Sequence, residues 1–239
     1  MKILGELDWS PLFISLKTGL AATILSFFLG IFAARKAVSA RPAVKAVLDG
    51  LLTLPMVLPP TVAGFFLLLV FGTRRPAGAW LYATFEIKVV QSWIGCVVAA
   101  TVIAFPLMYR NARAAFEQVD VNLIYAARTL GMPEWTIFFK VIMPAAGPGI
   151  LSGTILTFAR AMGEYGATSM LAGNIPGKTA TAAQKIAMVV QDGDYQTAGV
   201  WALIVAVLAF TVVTAANLIS RKWMKHLNRW QEDEGWQSK

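Results

Sequence analysis

Apolar residues in this chain gather into five blocks: Leu12–Ala34, Val47–Phe71, Trp93–Tyr109, Gly147–Ala172 and Ala198–Ser220. A helix of about 20 predominantly apolar residues crosses a bilayer, so each block predicts a transmembrane helix. None is a clean hydrocarbon run. Pro55, Pro59 and Pro60 interrupt the second block and Pro106 the third, while Lys17, Asp49, Arg160 and Glu164 place charge in the first, second and fourth. Broken turns and charges at membrane depth belong against protein or water, not against lipid. The pattern therefore predicts an all-α polytopic membrane protein with five transmembrane helices. It reads as a single domain over residues 1–239, with a helical core of about 12–220, a polar loop at 110–146 and a tail at 221–239.

Composition agrees. Hydrophobic residues make up 57% of the chain and charged residues 14%, against roughly a quarter charged in soluble domains. The first block is no secretory signal, because Glu6 and Asp8 precede it and Arg35-Lys36 follow it, the reverse of signal-peptide flanks. Basic residues set an orientation. The connections Arg35–Lys45, Arg110–Ala146 and Arg221–Lys239 hold 4, 4 and 5 Lys/Arg, against 1, 3 and 2 in Met1–Pro11, Gly72–Ser92 and Gly173–Thr197. By the positive-inside rule the N-terminus lies outside and the C-terminus in the cytoplasm. Juxtamembrane basic residues facing anionic lipid account for the net charge of +8, so no nucleic-acid partner is expected. Trp80, Trp93, Trp201 and Trp223 fall near block ends, as interfacial aromatic belts do.

Candidate chemistry is sparse. Cys96 is the only cysteine and lies inside an apolar block, where it reads as a small packing residue. His226 is the only histidine, in the basic tail. No metal site, catalytic triad or acidic pair is expected, and the chain does not read as an enzyme. Gly173-Asn174-Ile175-Pro176-Gly177-Lys178-Thr179 imitates a nucleotide-binding loop. It has only three residues between its glycines where four are required, and no strand precedes it.

Three stretches carry functional signal. In the 110–146 loop, Val121, Ile124, Tyr125 and Arg128 recur at helical spacing, Gly131 interrupts, and Pro133 starts a second helical stretch over Glu134–Val141. Ala126 and Ala127 allow another backbone close, and Gly131 supplies a sharp turn. The hairpin suits a rigid lever on the membrane face, with an interfacial helix resting on headgroups as the plainer reading. In the second block, Pro55, Pro59, Pro60, Thr61 and Gly64 break the helix, each interior proline costing about 3 kcal/mol in a regular turn. The freed backbone groups line a translocation path or simply shape the bundle. In the fourth, Arg160 and Glu164 stand four apart on one helix face, flanked by Gly163 and Gly166; they mark the path, the subunit interface or a structural ion pair.

The stretch Ala126-Ala127-Arg128-Thr129-Leu130-Gly131, with Pro144 thirteen residues after the glycine, resembles the loop of bacterial ABC importer permeases that docks on a cytoplasmic ATPase. Together with Leu54–Gly64, Val119-Asp120-Val121, Phe158–Thr168 and Asn174-Ile175-Pro176-Gly177, it is similar to the type I importer permeases of the molybdate, tungstate and sulfate branch. The resemblance implies a homodimer in the bacterial inner membrane, with two ATPase subunits that bind ATP and Mg and an external oxyanion-binding protein. No cofactor is then held by this chain itself. Molybdate is the implied substrate, with tungstate or sulfate as alternatives; an ion-coupled secondary transporter would need more midplane acids or histidines than Glu164 alone. In this resemblance Tyr125, Ala126, Ala127, Gly131, Val141, Met143 and Pro144 are the ATPase-coupling positions. Tyr125 replaces the family's acidic residue, and Val141 and Met143 take its two aliphatic positions.

Overall fold

The computed structural model describes residues 8–233, with side-chain surroundings through Leu218. All regular structure among them is helical: α1 (Ser10–Val38), α2 (Pro42–Val57), α3 (Pro60–Phe71), α4 (Pro76–Phe85), α5 (Trp93–Glu117), α6 (Val121–Thr129), α7 (Glu134–Ile137), a π-helical turn (Phe138–Ile142), α8 (Met143–Met162), α9 (Gly166–Ala172), α10 (Ala182–Gln191) and α11 (Tyr195–Asp233).

Four continuous helical stretches are long and apolar enough to cross a membrane, and the α2–α3 pair makes a fifth span if counted as one. Two of the five predicted spans need correction. Val47–Phe71 is not one helix, because α2 and α3 meet at 109° around Leu58-Pro59. Consecutive prolines at 59 and 60 force extended backbone before them, with ψ near 143° at Leu58. Gly147–Ala172 is likewise divided. Its helix starts earlier, runs on from α7 through the π turn, and stops at Met162; α9 is separate. The third span extends beyond Tyr109 to Glu117, so the polar loop is shorter than 110–146.

The bundle centre is α1, α5 and α8. Their contacts use small residues, since burial of large apolar groups gains little against lipid and close van der Waals fit must replace it. The inward face of α1 carries Ser15, Thr18, Gly19, Ala22, Thr23, Ser26, Gly30 and Ala34. A Cβ on Gly30 would lie 2.7 Å from Met108 Cγ, and one on Gly153 would lie 2.6 Å from Asn111 Cβ. Buried hydroxyls satisfy themselves on the preceding turn: Thr23 donates to the Gly19 carbonyl at 2.6 Å and Thr157 to that of Gly153 at 2.7 Å. The opposite face of α1 exposes Phe13, Phe28 and Phe32, a surface suited to lipid or a neighbouring chain.

α2 has no buried residue. Charges fasten it instead: Lys45 pairs with Glu117, Arg113 pairs with Asp49, Tyr109 donates its hydroxyl to Asp49, and Arg113 Nε reaches Glu117 at 3.0 Å. The connections predicted as plain loops contain α4 and α10, the latter started by a capping box between Thr181 and Gln184. The nucleotide-loop look-alike is a structural knot: Thr179 Oγ1 accepts from the Ile175 N–H at 2.9 Å and donates to the Gly173 carbonyl at 3.2 Å. Cys96 is fully buried against it, its thiol 3.6 Å from the Thr179 carbonyl. Trp201 departs from the belt expectation. It is 1% exposed and packs edge-on to Trp9, whereas Trp80 is exposed. The side chains of Trp223 and His226 lie outside the described residues.

Candidate functional site

The first site is the hairpin α6–Gly131–α7. A nine-residue helix is marginal alone, and both its ends are capped. Asp120 Oδ1 accepts from the Asn122 N–H at 2.9 Å. At the other end the Met132 N–H reaches the Ala127 carbonyl at 3.1 Å and the Gly131 N–H the Arg128 carbonyl at 2.9 Å. This 6→1 and 5→2 pair is a Schellman cap, which needs a left-handed residue at the position after the cap. Gly131 occupies it with φ of 74°. The two alanines divide their work: Ala127 is buried toward the bundle and Ala126 is exposed.

A bidentate ion pair then closes the hairpin. Arg128 Nε and Nη2 lie 2.6 and 3.2 Å from the two oxygens of Glu134. Both partners are largely exposed, so the pair adds shape more than stability. The outer surface presents Leu123, Tyr125, Leu130 and Trp135, Leu130 being 79% exposed. Behind the hairpin, a cavity of about 280 Å³ separates it from the end of α1, with Val121, Ile124, Tyr125, Arg128 and Arg35 among its lining residues. Arg35 also stacks 3.9 Å above the Phe138 ring.

The hairpin's second arm has no break from the membrane. Where the sequence predicted a separate stretch Glu134–Val141, helix α7 passes through the π turn into α8. The Met143 N–H bonds to the Phe138 carbonyl, five residues back. This wide turn comes immediately before Pro144, whose ring and missing N–H would disrupt an ordinary turn. Val141 and Met143 are half-buried, Met143 against the cluster around Met108, Tyr109 and Phe116, while Pro144 is exposed. The hairpin's second arm and α8 thus form one continuous helical rod.

The second site is where the two broken spans meet. A Cβ on Gly166 would lie 3.0 Å from Pro60 Cβ and 3.1 Å from Thr61 N, and one on Gly64 would lie 2.7 Å from Ala167 Cα. The break at Pro59-Pro60 thus sits against the break at Gly163–Tyr165, with α3 and α9 side by side. Pro55 is remote from this contact, lining instead an apolar cavity of about 420 Å³ between α1, α2 and α5. Glu164 lies in the break, not within a helix as its spacing suggested, yet it still meets Arg160 at 2.8 Å. Its other oxygen accepts from the Ala167 N–H at 2.8 Å, capping α9. The charged cluster on α2 and α5 was missed in the sequence. Only Asp49 inside an apolar block hinted at it.

Residues 26–225 match the family of binding-protein-dependent transport system inner membrane components. The chain belongs to this family. The permease is 40% identical over 227 residues to the molybdenum transport system permease protein ModB of Escherichia coli K12, covering 95% of this chain and 97% of that one. It is 33% identical to the sulfate transport system permease protein CysT of the same strain, covering 87% of this chain and 78% of that one. A chain of the MetNI methionine ABC transporter, crystallised in inward-facing conformations, shares its fold: TM-score 0.69 over 89% of this chain and 94% of that one, at 16% identity. The permease is thus a multi-pass membrane component of ABC transport systems, a transport subunit in place of an enzyme.

Proposed function

We propose that this chain is the membrane-spanning subunit of an ABC importer that carries molybdate across the bacterial cytoplasmic membrane. The observation that carries the reading is the 40% identity, over nearly its whole length, to a permease named for molybdenum transport. Two copies form the channel, two cytoplasmic ATPase subunits bind ATP and Mg and supply the hydrolytic chemistry, and an external binding protein delivers the oxyanion. The N-terminus is outside and the C-terminus cytoplasmic, which puts the hairpin α6–α7 on the side of the ATPase.

The mechanism follows from cost and geometry. A dianion meets a Born penalty of tens of kcal/mol in hydrocarbon, so the protein must offer a polar route open to one side at a time. ATP binding draws the ATPase pair together and pulls the two hairpins with it. Ala126, Tyr125 and Leu130 form the docking face, Gly131 keeps the hairpin in shape, and Val141, Met143 and Pro144 pass the motion into α8. At the other end of α8 the paired breaks at Pro59, Pro60 and Thr61 and at Gly163–Gly166 open and close the path.

Tungstate or sulfate is the alternative cargo, and the relative named for sulfate transport is the less similar one, at 33% identity against 40%. Radiolabelled molybdate uptake by the purified complex in proteoliposomes, with tungstate and sulfate as competitors, decides among them. The reading expects molybdate and tungstate to compete at similar concentrations and sulfate only at about a hundredfold excess or more, a discrimination of some 2.8 kcal/mol. Sulfate competing equally would reassign the cargo.

A further inference from the structure

We propose that Arg160 is the mid-membrane contact for the transported oxyanion and that Glu164 is the counter-ion that orients it. The proposal rests on the oxyanion-permease reading above and names the residue of that path which touches cargo.

Depth comes first. Ala161 packs in a buried cluster with Ala22, Ala100 and Ala104. Ala22 is twelve residues from the start of α1 and sixteen from its end, or about 18 and 24 Å along the helix at 1.5 Å per residue. Arg160 is therefore near the middle of the bundle's depth. The neighbouring break agrees, since Gly166 packs against Pro60 and α3 runs a further eleven residues to Phe71, roughly 16 Å.

Exposure comes next. Glu164 is 2% exposed, but the Arg160 side chain is 34% exposed. A charged side chain at that depth with a third of its surface open does not face hydrocarbon, so it faces a cavity or another protein surface. Glu164 pairs with one Nη of the fork at 2.8 Å, and no other ion-pair partner of the guanidinium occurs among the described residues. The remaining N–H donors are available, and a planar fork matches the oxygen edge of a tetrahedral oxyanion.

Glu164 completes the arrangement. Its carboxylate is fixed on both sides, by Arg160 and by the Ala167 N–H, so it holds the guanidinium in one orientation. It also cancels most of the charge. A bare guanidinium would retain a dianion, whereas transport needs a contact weak enough to release it. The exposed Thr61 lies at the same level, against Gly166.

The test uses the complete complex in proteoliposomes, with its ATPase and external binding protein. Molybdate uptake per ATP hydrolysed is compared for wild type, R160K, R160Q and the double variant R160Q/E164Q, which replaces the ion pair by uncharged amides and so leaves no buried carboxylate unpaired. The expected result is a drop of at least tenfold in R160Q, no recovery in the double variant, and partial recovery in R160K. Uptake within twofold of wild type in R160Q, or its restoration in the double variant, would overturn the proposal and leave only a structural pair. A wild-type complex that imports no tetrahedral oxyanion would overturn the underlying function as well, and that arm is read independently of the variants.

Discussion

Gly131 is the residue on which the hairpin turns. Its φ of 74° is a region where an L side chain costs roughly 1–2 kcal/mol, although a Cβ there would touch nothing within 4 Å. G131A should therefore destabilise the Schellman turn through the backbone alone, by about 1–2 kcal/mol. Faster hydrogen exchange of the Met132 amide would show it; unchanged protection would contradict it. Glu164 is the other decisive single residue. E164A removes the charged acceptor of the Ala167 N–H and the partner of Arg160, at a cost of about 1.5–3 kcal/mol for the hydrogen bond. Thermal unfolding in detergent should register a lower Tm. The glycine and the ion pair were both legible from spacing. The different burial of Ala126 and Ala127 was not, because two adjacent alanines carry no periodicity of their own.

At the scale of elements, the apolar blocks and the proline break in the second were legible in the sequence, but the break after Met162 and the sharpness of the first, 109°, were not. Hydropathy averages over a window, and a proline pair or a Gly-Glu-Tyr-Gly turn barely lowers it. Two packing relations follow from the breaks. Gly64 lets α3 lie against α9, and G64A would place a methyl 2.7 Å from the Ala167 backbone. Overpacking of this kind costs about 1–3 kcal/mol; cysteines at positions 61 and 166 should then cross-link more slowly than in the parent. The other relation is the charge cluster holding α2 on α5. Since α2 buries no residue, R113M should free it from α5, seen as increased spin-label mobility at Leu48. Retained order would mean that lipid or a second copy suffices to hold α2. That cluster lay beyond sequence reasoning because its members are separated by some sixty residues, and only the fold brings Asp49 to Tyr109 and Arg113.

In the whole molecule, the two sites sit at opposite ends of α8. The hairpin feeds into it through the π turn, and the paired breaks begin where it stops. Family and fold were visible in the spacing of Ala126, Ala127, Gly131 and Pro144; the continuity from hairpin to span was not, since Pro144 reads as a helix boundary and the π turn absorbs it. The account's central claim is that a cytosolic ATPase drives this bundle through that continuous lever. The direct measurement is ATP-driven molybdate uptake by the reconstituted complex carrying the triple variant A126E, A127E and G131E. The account predicts that uptake falls to background while the unaltered complex transports. Full uptake by the variant would contradict it.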